Sequence, residues 1–176
     1  TVAIPGALTS AHLALRLFQP EFTPRVLPFD RILEAVAGGE VAAGLIIHEG
    51  QLTAREDGLR VVEDLGRSWK ARTGLPLPLG MNAVRRDLPA PVRRTLARVM
   101  AETVGYGLAH RQQALDHAMT YARGLDRERA DRFVGMYVNE WTRELGPRGR
   151  EAVTRFLADA ADRGLVPRVT PEFQER

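Results

Sequence analysis

The chain has 176 residues and a mass of 19.5 kDa, with 44% hydrophobic and 27% charged residues, close to the average for a globular protein. No apolar run approaches the ~20 residues that a membrane-spanning helix needs, and the lack of cysteine excludes disulfides, thiolate metal sites and cysteine nucleophiles. The formal net charge is only +3 although the pI is 9.9, because Lys70 is the only lysine and arginine supplies nearly all the basic charge; the densest basic pairs, Arg85–Arg86 and Arg93–Arg94, stand apart among acidic residues, which argues against a nucleic-acid surface.

Thr1-Val-Ala-Ile4 is a short β-rich run closed by Pro5-Gly6. The chain therefore begins inside an element, with neither an initiator Met nor a signal sequence, and reads as a piece of a longer protein. Thr9 or Ser10 offers an N-cap for a helix whose apolar face carries Leu13, Leu17 and Phe18. Arg25 to Phe29 is a second strand, and Asp30 is placed to cap a helix with Ile32, Leu33 and Val36 that ends at Gly38-Gly39. Val41-Ala-Ala-Gly-Leu-Ile-Ile47 is an apolar run without alternation, the pattern of a strand buried on both faces of a parallel sheet. A further strand is expected over Leu59 to Val62. The order β-α-β-α-β predicts a parallel α/β lobe.

Leu75-Pro-Leu-Pro-Leu-Gly80 reads as an extended, stiff connector, since its prolines exclude a helix and a central strand. From Pro91 on the pattern is helical. Val92, Leu96, Val99 and Met100 share a face that Gly105 and Gly107 interrupt. Leu115, Met119 and Ala122 continue in a second helix, Asp126 opens a third bearing Phe133, Met136 and Tyr137, and Pro147 and Gly164 frame the last. The apolar faces of these helices need more to cover them than one small lobe offers.

In open parallel sheets ligands bind beyond the carboxyl ends of the strands, near helix N-termini. Thr9 and Ser10 fall on that rim, where a helix start suits a carboxylate or a phosphate; an ordinary N-cap fits the same residues. His48 follows the most apolar strand where the chain leaves the sheet. It is a candidate general base, since imidazole titrates near neutrality, or a histidine satisfied by nearby backbone. Strand alternation sends Glu49 to the opposite face. His12 lies near the first helix start and reads as a surface residue. His110 and His117 lack a carboxylate pattern for a metal. Tyr137, Asn139 and Trp141 read as a structural group, and no G-x-S-x-G, G-x-G-x-x-G or P-loop motif occurs.

Several motifs follow one another in a set order: Thr1-Val-Ala-Ile-Pro-Gly-Ala-Leu-Thr-Ser10, Phe29-Asp30 with Gly39-Glu40, Gly44-Leu-Ile-Ile-His-Glu49, Thr73-Gly-Leu-Pro-Leu-Pro-Leu-Gly80, Arg85-Arg-Asp-Leu88 and Met136-Tyr-Val-Asn139. In these the chain closely resembles the 1,4-dihydroxy-6-naphthoate synthases of the futalosine route to menaquinone. The resemblance implies an α/β, periplasmic-binding-protein-like type II fold. One parallel α/β lobe, residues 1–80, would carry the cleft residues. Residues 81–176 would form a return strand and the helical C-terminal part of a first lobe that is largely missing at the N-terminus. It also implies a cytoplasmic lyase without cofactor or metal, acting on a small-molecule carboxylate, cyclic dehypoxanthine futalosine, with His48 as proton acceptor and Thr9 and Ser10 holding the carboxylate. A homodimer is left open. Where this chain departs from the family pattern, at Ala54, Ser68-Trp69 and Met81, the resemblance places the changes on the cleft wall. A solute-binding protein of the same fold and the chorismate dehydratase of the same route are the alternatives; the Ile-Ile-His-Glu signature argues against the dehydratase.

Overall fold

The computed structural model describes residues 1–121 and 126–175; Ala122, expected on a helix face, lies outside them. In chain order the elements are β1 (Val2–Ile4), α1 (Ser10–Phe18), β2 (Pro24–Val26), a 3₁₀ turn at Phe29–Arg31, α2 (Ile32–Ala37), β3 (Ala43–Gly44), α3 (Gly50–Thr53), α4 (Leu65–Thr73), α5 (Ala90–Ala109), α6 (Arg111–Met119), α7 (Arg127–Tyr137), α8 (Glu140–Arg143) and α9 (Gly146–Asp162). They divide into two compact units, Thr1–Gly80 with Glu151–Thr170, and Met81–Arg150 with Pro171–Arg176.

The first unit is built on a parallel three-stranded sheet in the order β2-β1-β3. Val2, Ala3 and Ile4 stand opposite Pro24, Arg25 and Val26 on one side, and Val2 and Ala3 stand opposite Ala43 and Gly44 on the other. Ala3 and Ile4 are fully buried, as a central strand requires, whereas β2 is exposed throughout and tolerates Pro24 because it is an edge. Helix α2 lies on this sheet. Its Ile32 and Ala35 close a core with Ala3 and Val41. The approach is tight: a Cβ at Gly44 would lie 2.4 Å from Ile32 Cγ2 and 3.0 Å from Val36 Cγ2, so only glycine fits at that point of β3.

A second core joins α1, α4 and the part of α9 from Glu151 on. Ala14 and Leu17 pack with Trp69, Phe156 and Ala160, and the Trp69 and Phe156 rings meet edge to face at 5.4 Å. Trp69 Nε1 donates to the Pro76 carbonyl at 3.1 Å, which ties the proline-rich connector to this core. Buried in this way, Trp69 is a core residue.

Several sequence expectations are corrected. The apolar run from Val41 to Ile47 gives only a two-residue strand, and its residues beyond Val41 are half-buried or exposed, because the three-residue β1 offers no longer partner. Leu59 to Val62 forms no strand; Val62 is 82% exposed and no neighbouring strand reaches it. Helix α4 had no counterpart in the sequence reading, although Asp64, which accepts the Arg67 N–H, and Gly74, at φ +72°, cap it at both ends. Asp30 sits within the 3₁₀ turn and caps nothing with its side chain.

In the second unit α5 runs unbroken through Gly105 and Gly107. Gly105 is where Arg143 of α8 lies against the helix: a Cβ there would be 3.4 Å from Arg143 Nε. Residues 81–85 form no return strand. The shared face of Val92, Leu96, Val99 and Met100 is present but uncovered, each being 43–44% exposed, and Ala101 is the one buried residue of α5. Arg111 Nε bonds Asp131 at 2.7 Å and joins α6 to α7. Asn139 caps α8 by accepting the Trp141 N–H at 3.0 Å, while Thr142 Oγ1 accepts the Asn139 N–H and donates to the Tyr137 carbonyl at 2.7 Å. The Tyr137-Asn139-Trp141 group is thus a helix junction. Gly164, at φ +68°, follows the end of α9.

Two outcomes follow from these contacts. Replacing Phe156 by Ala removes the partner of Trp69 and costs about 3–5 kcal/mol of unfolding free energy, to be read from denaturant midpoints. In the second unit the Arg150 guanidinium, 2.6 Å from Glu175, holds that carboxyl below its usual range. Its contribution is therefore present above the ordinary carboxylate range and is lost as pH falls below that range through the lowered value, where the residues around Glu175 become open to proteolysis, with little effect on global stability because the pair is exposed.

Candidate functional site

Strands β1 and β3 are neighbours and parallel, so the chain leaves both at the same edge of the sheet. From β1 it enters the Pro5–Thr9 turn and α1; from β3 it runs through Leu45–Ile47 to His48 and α3. The topology thus brings the Thr9-Ser10 turn and the His48 turn to the carboxyl end of one small sheet.

Thr9 is the N-cap of α1. Its hydroxyl accepts the His12 N–H at 3.1 Å and donates to the Gly6 carbonyl at 3.0 Å, so both functions of that oxygen serve the turn. Ser10 Oγ donates to the Leu79 carbonyl, which fastens the end of the Leu-Pro-Leu-Pro-Leu-Gly connector to the start of α1. Its lone pairs remain as acceptors, and the donors available to an anion at this turn are the backbone N–H groups at the helix start. His12 is held locally: Nδ1 lies 2.9 Å from the Ala7 carbonyl and Nε2 faces Arg16 Nε at 3.4 Å, an arrangement that fits one neutral tautomer with the proton on Nδ1.

His48 is more enclosed, with its side chain 14% exposed. The ring leans on Phe29 at 5.6 Å, with 57° between their planes. Nδ1 accepts the Gly50 N–H at 3.0 Å, which leaves the proton of the neutral imidazole on Nε2. That atom is buried and has no hydrogen-bond partner among the described residues. A buried donor left unpaired costs about 1–3 kcal/mol, a cost that a ligand oxygen would relieve. Glu49 Oε2 is 3.9 Å from Nδ1, within ion-pair range and beyond hydrogen-bond length.

Gly50 is needed for space. A Cβ there would lie 2.5 Å from His48 Cε1 and 2.5 Å from Leu33 Cδ1, so the imidazole occupies ground that any other residue would claim. The sequence reading singled out His48, Thr9 and Ser10 but did not assign Phe29, Glu49 and Gly50 to the site. Strand alternation had sent Glu49 away; residues 45–49 have left the sheet, so the rule does not apply to them and the carboxylate comes near the ring. A glycine directly after His-Glu was the available signal. The other histidines stand elsewhere: His110 stacks on Tyr106 at 3.9 Å and His117 meets Tyr121 edge to face. Among the described residues no three His, Asp or Glu side chains gather into a metal site, and no helix is long and apolar enough to cross a membrane.

The chain is thus an α/β protein with a histidine and a hydroxyl-bearing helix start at one edge of its sheet. A sequence profile for menaquinone biosynthesis matches residues 1–162, and the chain belongs to that family. It is 44% identical over 173 residues to a 1,4-dihydroxy-6-naphthoate synthase of Thermus thermophilus and 38% identical over 178 residues to one of Streptomyces coelicolor. Each match covers 98% of this chain but only 64% and 63% of the relatives, so the chain spans a little under two thirds of their length. A crystal structure of a protein from Archaeoglobus fulgidus superimposes with a TM-score of 0.89 at 44% identity, over 94% of this chain and 62% of that one.

Replacing Gly50 by Ala forces His48 or Leu33 aside. The expected result is about 1–3 kcal/mol of destabilisation from overpacking, together with a shifted His48 ring signal in NMR spectra.

Proposed function

We propose that this chain works in a 1,4-dihydroxy-6-naphthoate synthase, a lyase that converts cyclic dehypoxanthine futalosine to 1,4-dihydroxy-6-naphthoate by general-base proton abstraction. What supports the reading most is the pair of matches to synthases across 98% of the chain. The half-buried imidazole at the carboxyl end of the sheet supplies a group suited to the chemistry. In this reading the enzyme has a two-lobed, periplasmic-binding-protein-like type II fold. Residues 1–80 form the lobe that carries the cleft residues, and the helical residues after Met81 belong with the other lobe.

The start of α1 holds the substrate carboxylate. Because Thr9 Oγ1 is engaged by His12 and Gly6 and the Ser10 hydroxyl donates to Leu79, both side chains shape the turn, and the backbone N–H groups at the helix start, that of Ser10 among them, take the anion. Anchoring the carboxylate sets the ring of the substrate against His48. His48 takes a proton from carbon next to an electron-withdrawing group; the electron pair of that C–H bond expels the side fragment, and aromatisation of the remaining ring drives the reaction forward. Closure of two lobes would keep water from the reacting carbon.

In the purified protein His48→Ala should lower product formation by about 10²–10⁴-fold while substrate affinity changes by less than about threefold. Turnover at the unaltered rate would remove His48 from the mechanism.

A further inference from the structure

The Nδ1 atom of His48 has two neighbours that favour opposite protonation of the ring. The Gly50 amide, 3.0 Å away, donates to it and keeps the imidazole proton on Nε2. The Glu49 carboxylate, 3.9 Å away, is an acceptor and favours a proton on Nδ1. Phe29, which the ring leans on, carries no charge. With its proton on Nε2 the ring is a donor at its buried nitrogen and cannot accept a substrate proton there. A base needs the reverse arrangement.

We propose that Glu49 is the positioning residue that makes His48 a base, its carboxylate replacing the Gly50 amide as the partner of Nδ1. This rests on the reading of His48 as the proton acceptor. The neutral ring gives up its Nε2 proton to solvent and takes one on Nδ1, so its charge is unchanged and the Nε2 lone pair is free. The substrate proton then enters at Nε2, the C–H electron pair stays with the substrate, and the imidazolium is held through Nδ1–H by the Glu49 carboxylate. An advance of about 1 Å brings Oε2 from its present place to hydrogen-bond length. Glu49 can make it, because its side chain is a third exposed and stands at the head of the short helix α3. Gly50 is buried, so its displaced N–H loses a partner, a loss that the charged contact between the imidazolium and the Glu49 carboxylate has to outweigh. A carboxylate that selects the imidazole tautomer in this manner is a general device of histidine bases, and loss of its charge strands the ring in the wrong form.

The test is ¹⁵N NMR of the imidazoles of the purified chain above the pH of imidazole titration, with His48 assigned among the four histidines by its loss in His48→Gln. Glu49→Gln should reduce the Nδ1–H share of the His48 signal by about threefold or more, lower kcat by about 10–10²-fold and leave KM within roughly twofold, with Glu49→Asp falling between. An unchanged tautomer share in Glu49→Gln overturns the proposal, as does an unchanged kcat in that variant while His48→Gln abolishes turnover. Full turnover in His48→Gln instead defeats the assignment of the base itself, and with it the role given to Glu49. The tautomer measurement requires no turnover and separates the two failures.

Discussion

The close seating of α2 on the sheet governs the geometry of this site. Ile32 and Val36 press on Gly44, and Leu33, the next residue after Ile32 in the same helix, lies against Gly50. The residue that opens the preceding 3₁₀ turn, Phe29, meets the His48 ring. Helix α2 and the 3₁₀ turn before it therefore set how the loop after β3 packs and what the imidazole rests on. Two glycines separated by six positions make this possible, each because a Cβ there would lie 2.4–2.5 Å from a neighbouring carbon, well inside van der Waals contact.

Around that helix the polar groups are arranged asymmetrically. At the start of α1 the side-chain hydroxyls are mostly spent on the fold: Thr9 closes its own turn and Ser10 secures the proline-rich connector. The connector is in turn fixed through Pro76 to Trp69 and the α1–α4–α9 core. The donors left over at this edge are thus the backbone N–H groups at the start of α1. His48, by contrast, has the Gly50 amide and the Glu49 carboxylate near one nitrogen and, among the described residues, no partner at the other.

The second unit has a different character. Its helices are joined by polar contacts, Arg111 with Asp131 and the Asn139-Thr142 capping pair, while the apolar stripe of α5 stays open to solvent. Apolar periodicity marked that stripe correctly as a face, yet periodicity carries no information about what covers it. The same limit explains Trp69. The family resemblance placed Ser68-Trp69 on the cleft wall; the burial of Trp69 depends on Phe156, eighty-seven residues further on, which no local pattern reveals.

What the amino-acid sequence determined by itself was local or carried by motif order: the α/β class, the helix start at Thr9, the helix end at Gly38-Gly39, the non-helical connector, and the prominence of His48. Caps, turns and periodicity act within a few residues, and so they are legible without coordinates. The tertiary structure alone decided which strand residues are paired, that the apolar run after Val41 leaves the sheet after Gly44, and that Glu49 comes within 3.9 Å of the imidazole nitrogen to which the Gly50 amide donates. The physical reason is that the length of a parallel strand depends on its neighbours. With β1 only three residues long, the chain turns out of the sheet before His48, and the alternation that would have parted Glu49 from the ring ends with the sheet.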